Sequence, residues 1–260
     1  MENTRKIEFE GINNARDLGT LRTKSGKEIR SRCLIRSANL SKATPEDVRK
    51  LKEDCRLSLA LDLRTPMARS GKPDVQMEGV TMMPVVIFTD GMIGVTHEND
   101  RDYARRKTMM PDMKDLYRMM VSAPECREGF SFALRTIMGH DFDRGSVLWH
   151  CSEGKDRCGL TAAFLLTALG VEWDAIVEDY LLTNEVNEAR AEMYYRLARE
   201  NGASPEVAAS VRAAFLASEE YLNASFDAIR KEYPGECEFL IRGLGVPEEM
   251  IAGFRDRMLI

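Results

Sequence analysis

The stretch that decides the fold is Val147-Leu148-Trp149-His150-Cys151-Ser152-Glu153-Gly154-Lys155-Asp156-Arg157-Cys158-Gly159. It opens with an apolar run typical of a buried strand, and residues 160–169, which follow it, are apolar on nearly every side. Gly170 then supplies a helix cap. The order predicts a strand, a tight polar turn and a fully buried helix.

The polar turn carries a cysteine and an arginine at a specific spacing, because residues 152–156 separate Cys151 from Arg157. A turn of this length can bring successive backbone N–H groups to one point, and the following helix adds the positive end of its dipole there. Arg157 can bind two oxygens of a phosphate group, with Cys151 beneath the phosphorus as nucleophile. The same donors lower the pKa of the Cys151 thiol. The spacing therefore indicates cysteine-based phosphate chemistry.

Two other interpretations of this turn are weaker. A nucleotide-binding loop requires an upstream glycine and a hydroxyl residue after Lys155, whereas Asp156 stands there. A metal site formed by His150, Cys151 and Cys158 lacks a fourth ligand, and neighbouring strand residues point to opposite faces. We therefore expect no metal and no cofactor.

The rest of the chain alternates between strand and helix patterns before it becomes entirely helical. Residues 13–36 are predicted to form a hairpin, and short apolar runs typical of strands buried on both faces lie at 57–63, 80–88 and 146–150. Proline after a capping residue predicts helices that start at Pro45 and Pro205, and Pro247-Glu248-Glu249 predicts the opening of the last helix. Residues 89–102 are predicted to be a mobile loop, and helical periodicity follows at 113–120 and 130–138. The pattern predicts an α/β fold with a short, mainly parallel central sheet and a helical C-terminal half.

Composition excludes several classes of protein. The 260 residues include 37 basic and 42 acidic side chains, a net charge of −5 that argues against nucleic-acid binding. The six cysteines form no Cys-x-x-Cys pair, so neither a disulfide framework nor a zinc site is indicated. The first residues lack a signal peptide, and no run is long enough for a membrane helix. We expect a cytoplasmic protein without a membrane span, with export by another route left open.

Several segments together resemble the bacterial branch of the Cys-x5-Arg protein tyrosine phosphatases, whose loop reads His-Cys-x-x-Gly-Lys-Asp-Arg-Thr-Gly. Besides the loop, the matching segments are Asn14-Ala15-Arg16-Asp17-Leu18-Gly19, Arg36-Ser37-Ala38-Asn39-Leu40-Ser41, Asp62-Leu63-Arg64, Asp179-Tyr180-Leu181-Leu182-Thr183-Asn184 and Gly243-Leu244-Gly245. The likeness covers essentially the whole chain. It implies one phosphatase domain over residues 1–260 with the three-layer phosphatase fold, in which residues 89–140 form a loop and a helical lid.

The resemblance also implies an activity and a set of roles. The chain would hydrolyse phosphotyrosine in proteins, with phosphoserine, phosphothreonine and phosphoinositides as further substrates left open. Cys151 would form a cysteinyl phosphate and Arg157 would stabilise the transferring group, without metal. The implied substrate-binding residues are Ser152, Glu153, Gly154, Lys155, Asp156 and Arg157. His150 would position Cys151 through hydrogen bonds.

The general acid is left between two aspartates. The family usually places it on a loop after a strand, where this chain has Asp90, and Asp156 in the phosphate loop is the competitor. Cys158 stands where the family has a hydroxyl residue that assists the nucleophile as a leaving group. Because a thiol is a weaker hydrogen-bond donor, we predict slower hydrolysis of the intermediate. A reversible Cys151–Cys158 disulfide is a further hypothesis.

Rival functions follow from particular residues. Lys155, as a point charge at the pocket mouth, favours phosphoinositide substrates. Glu153 adds a negative charge to the same loop, which makes such anionic substrates less favoured. Rivals of a different kind are a catalytically weak phosphate-binding module and a sulfur- or arsenate-handling cysteine enzyme. Turnover of p-nitrophenyl phosphate that is lost in Cys151→Ser separates these classes.

Overall fold

The structure, a computed structural model, describes residues 5–89, 105 and 108–260. Within this part of the chain, five strands form one sheet in the order β1-β2-β5-β3-β4. The strands are β1 (Arg16–Asp17), β2 (Leu34–Ser37), β3 (Leu57–Asp62), β4 (Thr81–Pro84) and β5 (Ser146–His150). Only β1 is antiparallel to its neighbour, and all other pairs are parallel. The mainly parallel sheet and the α/β class are confirmed.

Helices connect the strands and make up the C-terminal half. They are α1 (Pro45–Glu53), α2 (Pro66–Gly71), α3 (Met113–Ser122), α4 (Pro124–Met138), α5 (Asp156–Leu169), α6 (Trp173–Leu181), α7 (Thr183–Glu200), α8 (Pro205–Phe215), α9 (Glu219–Glu232), α10 (Glu236–Glu238) and α11 (Glu248–Met258). A π-helical turn, Phe239–Gly243, continues α10.

The predicted hairpin and the helix starts at Pro45 and Pro205 are confirmed, and the last helix begins at Glu248 with Pro247 as its N-cap. Arg16 pairs with Arg36 across β1 and β2. Thr44 accepts a hydrogen bond from the Asp47 N–H while the Asp47 side chain accepts one from the Thr44 N–H, a capping box that begins α1. Gly170 adopts a left-handed conformation with φ of 81° and ends α5.

The run 80–88 differs from its prediction of a strand buried on both faces. Only Thr81–Pro84 joins the sheet, as the edge strand β4, and these residues are exposed or half-buried. The chain then leaves the sheet, although Val85, Ile87 and Phe88 remain buried in the core. Apolar residues that pack beyond the end of a strand have the same pattern as a longer buried strand.

The helices of the predicted lid insertion occupy the main core. Tyr117 and Met120 of α3 and Phe130 and Leu134 of α4 are fully buried in the same cluster as the α5 side chains. These two helices therefore pack on the main core through their apolar faces. The rest of the predicted loop and lid, apart from Thr89, Arg105 and residues after 107, lies outside the described residues.

Helices α7 and α8 form a separate hairpin with small clusters of its own. Ala191 and Tyr194 of α7 pack on Val211 and Phe215 of α8 in one cluster, and Met110 joins them. A second cluster lies near the turn between the helices. The Asn184 side chain joins the two ends of the hairpin by hydrogen bonds to the backbone N–H and C=O of Ala217, at 2.7 and 3.0 Å.

Candidate active site

The phosphate loop, defined as residues 151–156, joins the central strand β5 to α5. It lies at the carboxyl end of a parallel strand, where the ends of β2 and β3 also meet it. Gly154 has a φ of 68°, and a Cβ there would come within 2.7 Å of the backbone of Ser37 and Ala38. Only glycine fits this close approach, which explains its place in the loop sequence.

Three successive carbonyl groups of the loop are held from outside. The Ser152 carbonyl accepts from Asn39 Nδ2 at 2.9 Å, that of Glu153 from Asn14 Nδ2 at 2.9 Å, and that of Gly154 from Arg36 Nη2 at 2.9 Å. Since a planar peptide directs its N–H opposite to its C=O, this arrangement turns the following N–H groups inward. The loop is thereby built as an anion-binding nest.

One buried carboxylate anchors the arginines behind the loop. Asp179 accepts from Arg5 Nη1 at 2.7 Å, from Arg16 Nε at 3.1 Å and from Arg36 Nη1 at 2.8 Å. Burial alone would raise the pKa of Asp179, but the charges of Arg16, Arg36 and Arg5 hold it well below its usual range. The N-terminal motifs and the 179–184 motif therefore meet in one ionic cluster that fixes the loop from behind.

Cys151 is buried, yet its environment favours the thiolate. Burial raises the pKa of this thiol, but hydrogen bonding from Cys158 and the positive charge of Arg157 outweigh it and lower the pKa to about 5. Burial and the nearby Cys151 raise the pKa of Cys158 well above its usual range, so Cys158 remains a thiol. A protonated Cys158 can donate to the thiolate, as the family's hydroxyl residue would.

Arg157 lies in the first turn of α5 beside the loop. Its Nη1 donates to the Leu63 carbonyl at 3.1 Å, and its guanidinium carbon lies 5.6 Å from the centre of the Phe88 ring. The Leu63 N–H in turn donates to the His150 carbonyl at 2.8 Å. The Asp62-Leu63-Arg64 segment therefore orients the arginine through a main-chain carbonyl.

The His150 imidazole faces a buried ionic cluster. Its Nε2 lies 3.0 Å from Asp74 Oδ2 and its Nδ1 lies 3.8 Å from Asp62 Oδ1, as ion-pair contacts that lack hydrogen-bond alignment. Burial alone would lower the pKa of His150, but Asp74 and Asp62 raise it. The ring makes no hydrogen bond to Cys151 among the described residues, contrary to the predicted role.

The same cluster has the composition of a metal site. Ligand atoms of Asp62, Asp74 and His150 lie within 4.8 Å of one another. However, the Arg64 Nη2 atom lies 2.7 Å from Asp62 Oδ2 and 2.9 Å from Asp74 Oδ2. The guanidinium already occupies the position of the cation between these carboxylates.

Two predicted substrate-binding side chains turn away from the loop centre. Lys155 is fully buried, and its ammonium group donates to the carbonyls of Ala214 and, at 3.3 Å, Leu216 at the end of α8. The prediction of a point charge at the pocket mouth is wrong, because these carbonyls hold the charge. Glu153 Oε2 accepts from Arg190 Nη1 of α7 at 2.9 Å, so the charge it adds is paired.

Of the two candidates for the general acid, the structure describes only Asp156. Asp156 lies at the start of α5, 6% exposed, and its charge raises the pKa of Cys151. Asp90 lies outside the described residues. Ser152 is half-buried, and the structure places it in the loop through its carbonyl bond to Asn39.

Sequence reasoning assigned no role to several residues that build the site. Asn39 and Asp179 lie in quoted motifs, so their contacts could have been sought there. Asp74 and Tyr117 carry no such signal, because Asp74 follows a short surface helix and Tyr117 looks like an ordinary apolar position of a helix. Both were recognisable only from their contacts.

The sequence profile of the tyrosine phosphatase family matches residues 7–260. The chain belongs to the tyrosine phosphatase family. Members of this family are hydrolases of phosphate monoesters, and the loop geometry agrees with that class. The predicted family and enzyme class are confirmed.

Individual proteins similar to the chain differ in how much they share with it. A Cupriavidus necator protein with a provisional tyrosine-protein phosphatase name is 29% identical over 251 residues, which cover 95% of this chain and 87% of that protein. The triple specificity protein phosphatase PtpB of Mycobacterium tuberculosis is 28% identical over 182 residues, 67% of this chain and 63% of PtpB. The crystal structure of P. aeruginosa TpbA has 19% identity and a TM-score of 0.35, with 73% of this chain and 89% of TpbA covered.

A further property concerns membranes. Among the described residues, no helix combines the length and the apolar character that crossing a bilayer requires.

Proposed function

We propose that the chain hydrolyses phosphotyrosine in proteins through a cysteinyl-phosphate intermediate, with Cys151 as nucleophile and Arg157 as the residue that stabilises the transferring phosphoryl group. The observation that carries this proposal is a buried cysteine with a pKa of about 5 in a loop whose carbonyls are held outward. A thiolate beneath inward-facing N–H groups is suited to attack a phosphate dianion.

The reaction takes two steps. The Cys151 thiolate attacks phosphorus, the bond from phosphorus to the phenolic oxygen breaks, and that oxygen takes a proton from the general acid. Water then attacks the phosphocysteine, its proton passes to the same group acting as base, and the sulfur leaves as thiolate. Arg157 and the loop N–H groups stabilise the equatorial oxygens in both steps. Cys158 assists the departing thiolate.

Residues 1–260 would act as one phosphatase domain, because elements from the whole chain meet at the loop. Asn14 and Arg36 contact it from the N-terminal part, and Arg190 and the end of α8 contact it from the C-terminal half. Truncation at either end would therefore remove support from the loop.

Substrate choice is proposed from the site, the family and a relative. Membership of the tyrosine phosphatase family supports phosphotyrosine as the first substrate. The name of PtpB describes triple specificity, which supports a wider range of substrates. The burial of Lys155 removes the feature that favoured phosphoinositides in this chain. We therefore place phosphotyrosine first, with phosphoserine and phosphothreonine peptides as the secondary substrates.

The test is a substrate panel with purified wild type, Cys151→Ser and Cys237→Ser in the presence of EDTA. Phosphotyrosine, phosphoserine and phosphothreonine peptides and phosphoinositide vesicles are assayed side by side. We expect turnover of the phosphotyrosine peptide by wild type and by the control Cys237→Ser, whose cysteine is exposed and lies outside the loop. Cys151→Ser should be inactive. A wild type that binds the peptide without releasing phosphate would overturn the proposal.

A further inference from the structure

Asp156 is held by two donors that meet at one of its oxygens. The Tyr117 hydroxyl of α3 donates to Asp156 Oδ1 at 2.8 Å, and Lys155 Nζ lies 3.3 Å from the same atom. All three residues are buried. The two donors therefore fix the position of this oxygen beside the phosphate loop.

The tyrosine that makes this bond is itself fixed. The hydroxyls of Tyr117 and Tyr180 lie 2.6 Å apart, and the Tyr117 carbonyl accepts from Ser225 Oγ of α9 at 2.7 Å. Burial and the charge of Asp156 raise the pKa of Tyr117 well above its usual range. Tyr117 therefore keeps its proton and remains a donor throughout the working pH range.

We propose that Tyr117 is a positioning residue, whose hydroxyl holds the Asp156 carboxyl group at the edge of the phosphate loop for proton transfer to and from the substrate. The inference rests on the proposed phosphatase function and deepens it. It selects Asp156 as the general acid and base, and it assigns to an otherwise ordinary core tyrosine a role in the reaction.

The protons balance without any from Tyr117. In the first step, a proton moves from the Asp156 carboxyl group to the phenolic oxygen of the substrate, while the bond from that oxygen to phosphorus breaks and the bond between sulfur and phosphorus forms. In the second step, the water oxygen binds phosphorus and the water loses a proton to Asp156. The bond between phosphorus and sulfur breaks, and Cys151 leaves as thiolate. The Tyr117 and Lys155 donors stay on Oδ1 in both steps.

The test compares Tyr117→Phe with Tyr221→Phe on two substrates. Tyr221 is a matched control, because its ring lies 5.6 Å from that of Tyr117 and its hydroxyl makes no hydrogen bond within the described part of the chain. kcat/KM is measured for phenyl phosphate, whose leaving group requires a proton, and for p-nitrophenyl phosphate, which needs one much less. Loss of one hydrogen bond to a charged group should lower kcat/KM for phenyl phosphate about tenfold.

The expected pattern is a large loss for phenyl phosphate, little loss for p-nitrophenyl phosphate, and no change in Tyr221→Phe. A double-mutant cycle adds Asp156→Asn, and Tyr117→Phe should then have no further effect on kcat/KM. Equal losses on both substrates, no loss, or an undiminished loss in the Asp156→Asn background would each overturn the inference.

A second variant keeps the test valid if Tyr117→Phe does not fold. Tyr180→Phe removes only the hydroxyl that contacts Tyr117, and it should give the same leaving-group pattern at smaller size. An unaltered pattern in a folded Tyr180→Phe protein would then contradict the inference. Failure of the proposed phosphatase function can be distinguished from failure of the Tyr117 inference. In the former case, the wild type itself would release no phosphate from either substrate.

Discussion

The phosphate loop and helix α4 each bury a cysteine, and their thiols have opposite acid–base properties. Around Cys126 in α4, burial and the nearby Glu125 raise the pKa of the thiol to about 12. Around Cys151, burial also acts to raise the pKa, but Cys158 and Arg157 lower it to about 5. Burial alone makes a thiol inert, whereas burial among donors and a cation makes it a nucleophile.

The two regions also differ in what holds them together. The α4 region is apolar, and Phe130 packs edge-on against Phe164 of α5 with ring centres 5.4 Å apart. The loop is held by hydrogen bonds to its carbonyls and by the buried Asp179 cluster. Replacing a buried ion cluster with apolar groups often costs no stability, so the cluster is better explained by the precise position it gives the loop.

The largest expected effect concerns the arginine of the loop. Arg157→Lys loses the planar fork that can bind two phosphate oxygens, so kcat should fall about 100- to 1,000-fold. The matched control is Arg127→Lys beside Cys126, because Arg127 also lies 5.6 Å from an aromatic ring, that of Phe239. Steady-state assays on a phosphotyrosine peptide should show unchanged kcat for the control. A loss of similar size in both variants would contradict a special role for Arg157.

The next effect is on stability. Asp179→Asn leaves the buried Arg16 and Arg36 and the half-buried Arg5 without their carboxylate, and the free energy of unfolding should fall by about 3–5 kcal/mol in urea titrations. Glu53→Gln is the control, because it breaks an ion pair with Arg49 that is exposed and screened by solvent. We expect no measurable change there. A stable Asp179→Asn protein would mean that the arginines find other partners.

A smaller effect concerns the pH dependence of the nucleophile. The Cys151 thiolate predominates above a pKa of about 5 and is lost as the pH falls through that value. Inactivation by iodoacetamide should follow the same titration, while Cys126 stays unmodified. Removing the donor in Cys158→Ala should raise the midpoint by about one pH unit. An unchanged midpoint would show that Arg157 and the loop N–H groups suffice.

The smallest effect should appear in the second step of the reaction. Cys158→Thr supplies a stronger donor to the departing sulfur, and hydrolysis of the intermediate should become about three- to tenfold faster. Rapid acid quench measures how much phosphocysteine accumulates, and the variant should show less than wild type. A variant that hydrolyses the intermediate no faster contradicts the prediction made from the sequence.

Local features of the fold were predictable because short-range rules govern them. The strand 146–150, the helix that ends at Gly170 and the capped start of α1 follow from periodicity and capping residues. The end of β4 was not predictable, because residues 85–88 are apolar whether they pair in a sheet or pack beyond it. The packing of α3 and α4 in the main core was not predictable either, because it depends on which surface their apolar faces meet.

In the site, too, the features that depend on local spacing were predictable and the long-range contacts were not. The nucleophile, the arginine and the glycine of the loop could be assigned from spacing, and the matching motifs pointed to one family. The direction of Lys155 could not be assigned, because the carbonyls that bind it come from the end of α8, about sixty residues further along the chain. The links from Asn14 and Arg36 to the loop carbonyls span more than one hundred residues in the same way.

By itself, the sequence determined the strand, turn and helix that carry Cys151 and Arg157, since periodicity, a left-handed glycine and a fixed spacing are local properties of the chain. The lowered pKa of Cys151 belongs with these local properties, because Cys158 and Arg157, which lower it, stand within seven residues of it. Only the tertiary structure decided that Lys155 is buried and that Tyr117 contacts Asp156. The physical reason is that the direction of a buried polar side chain depends on its hydrogen-bond partners, and for Lys155 and Asp156 segments distant in the sequence supply them.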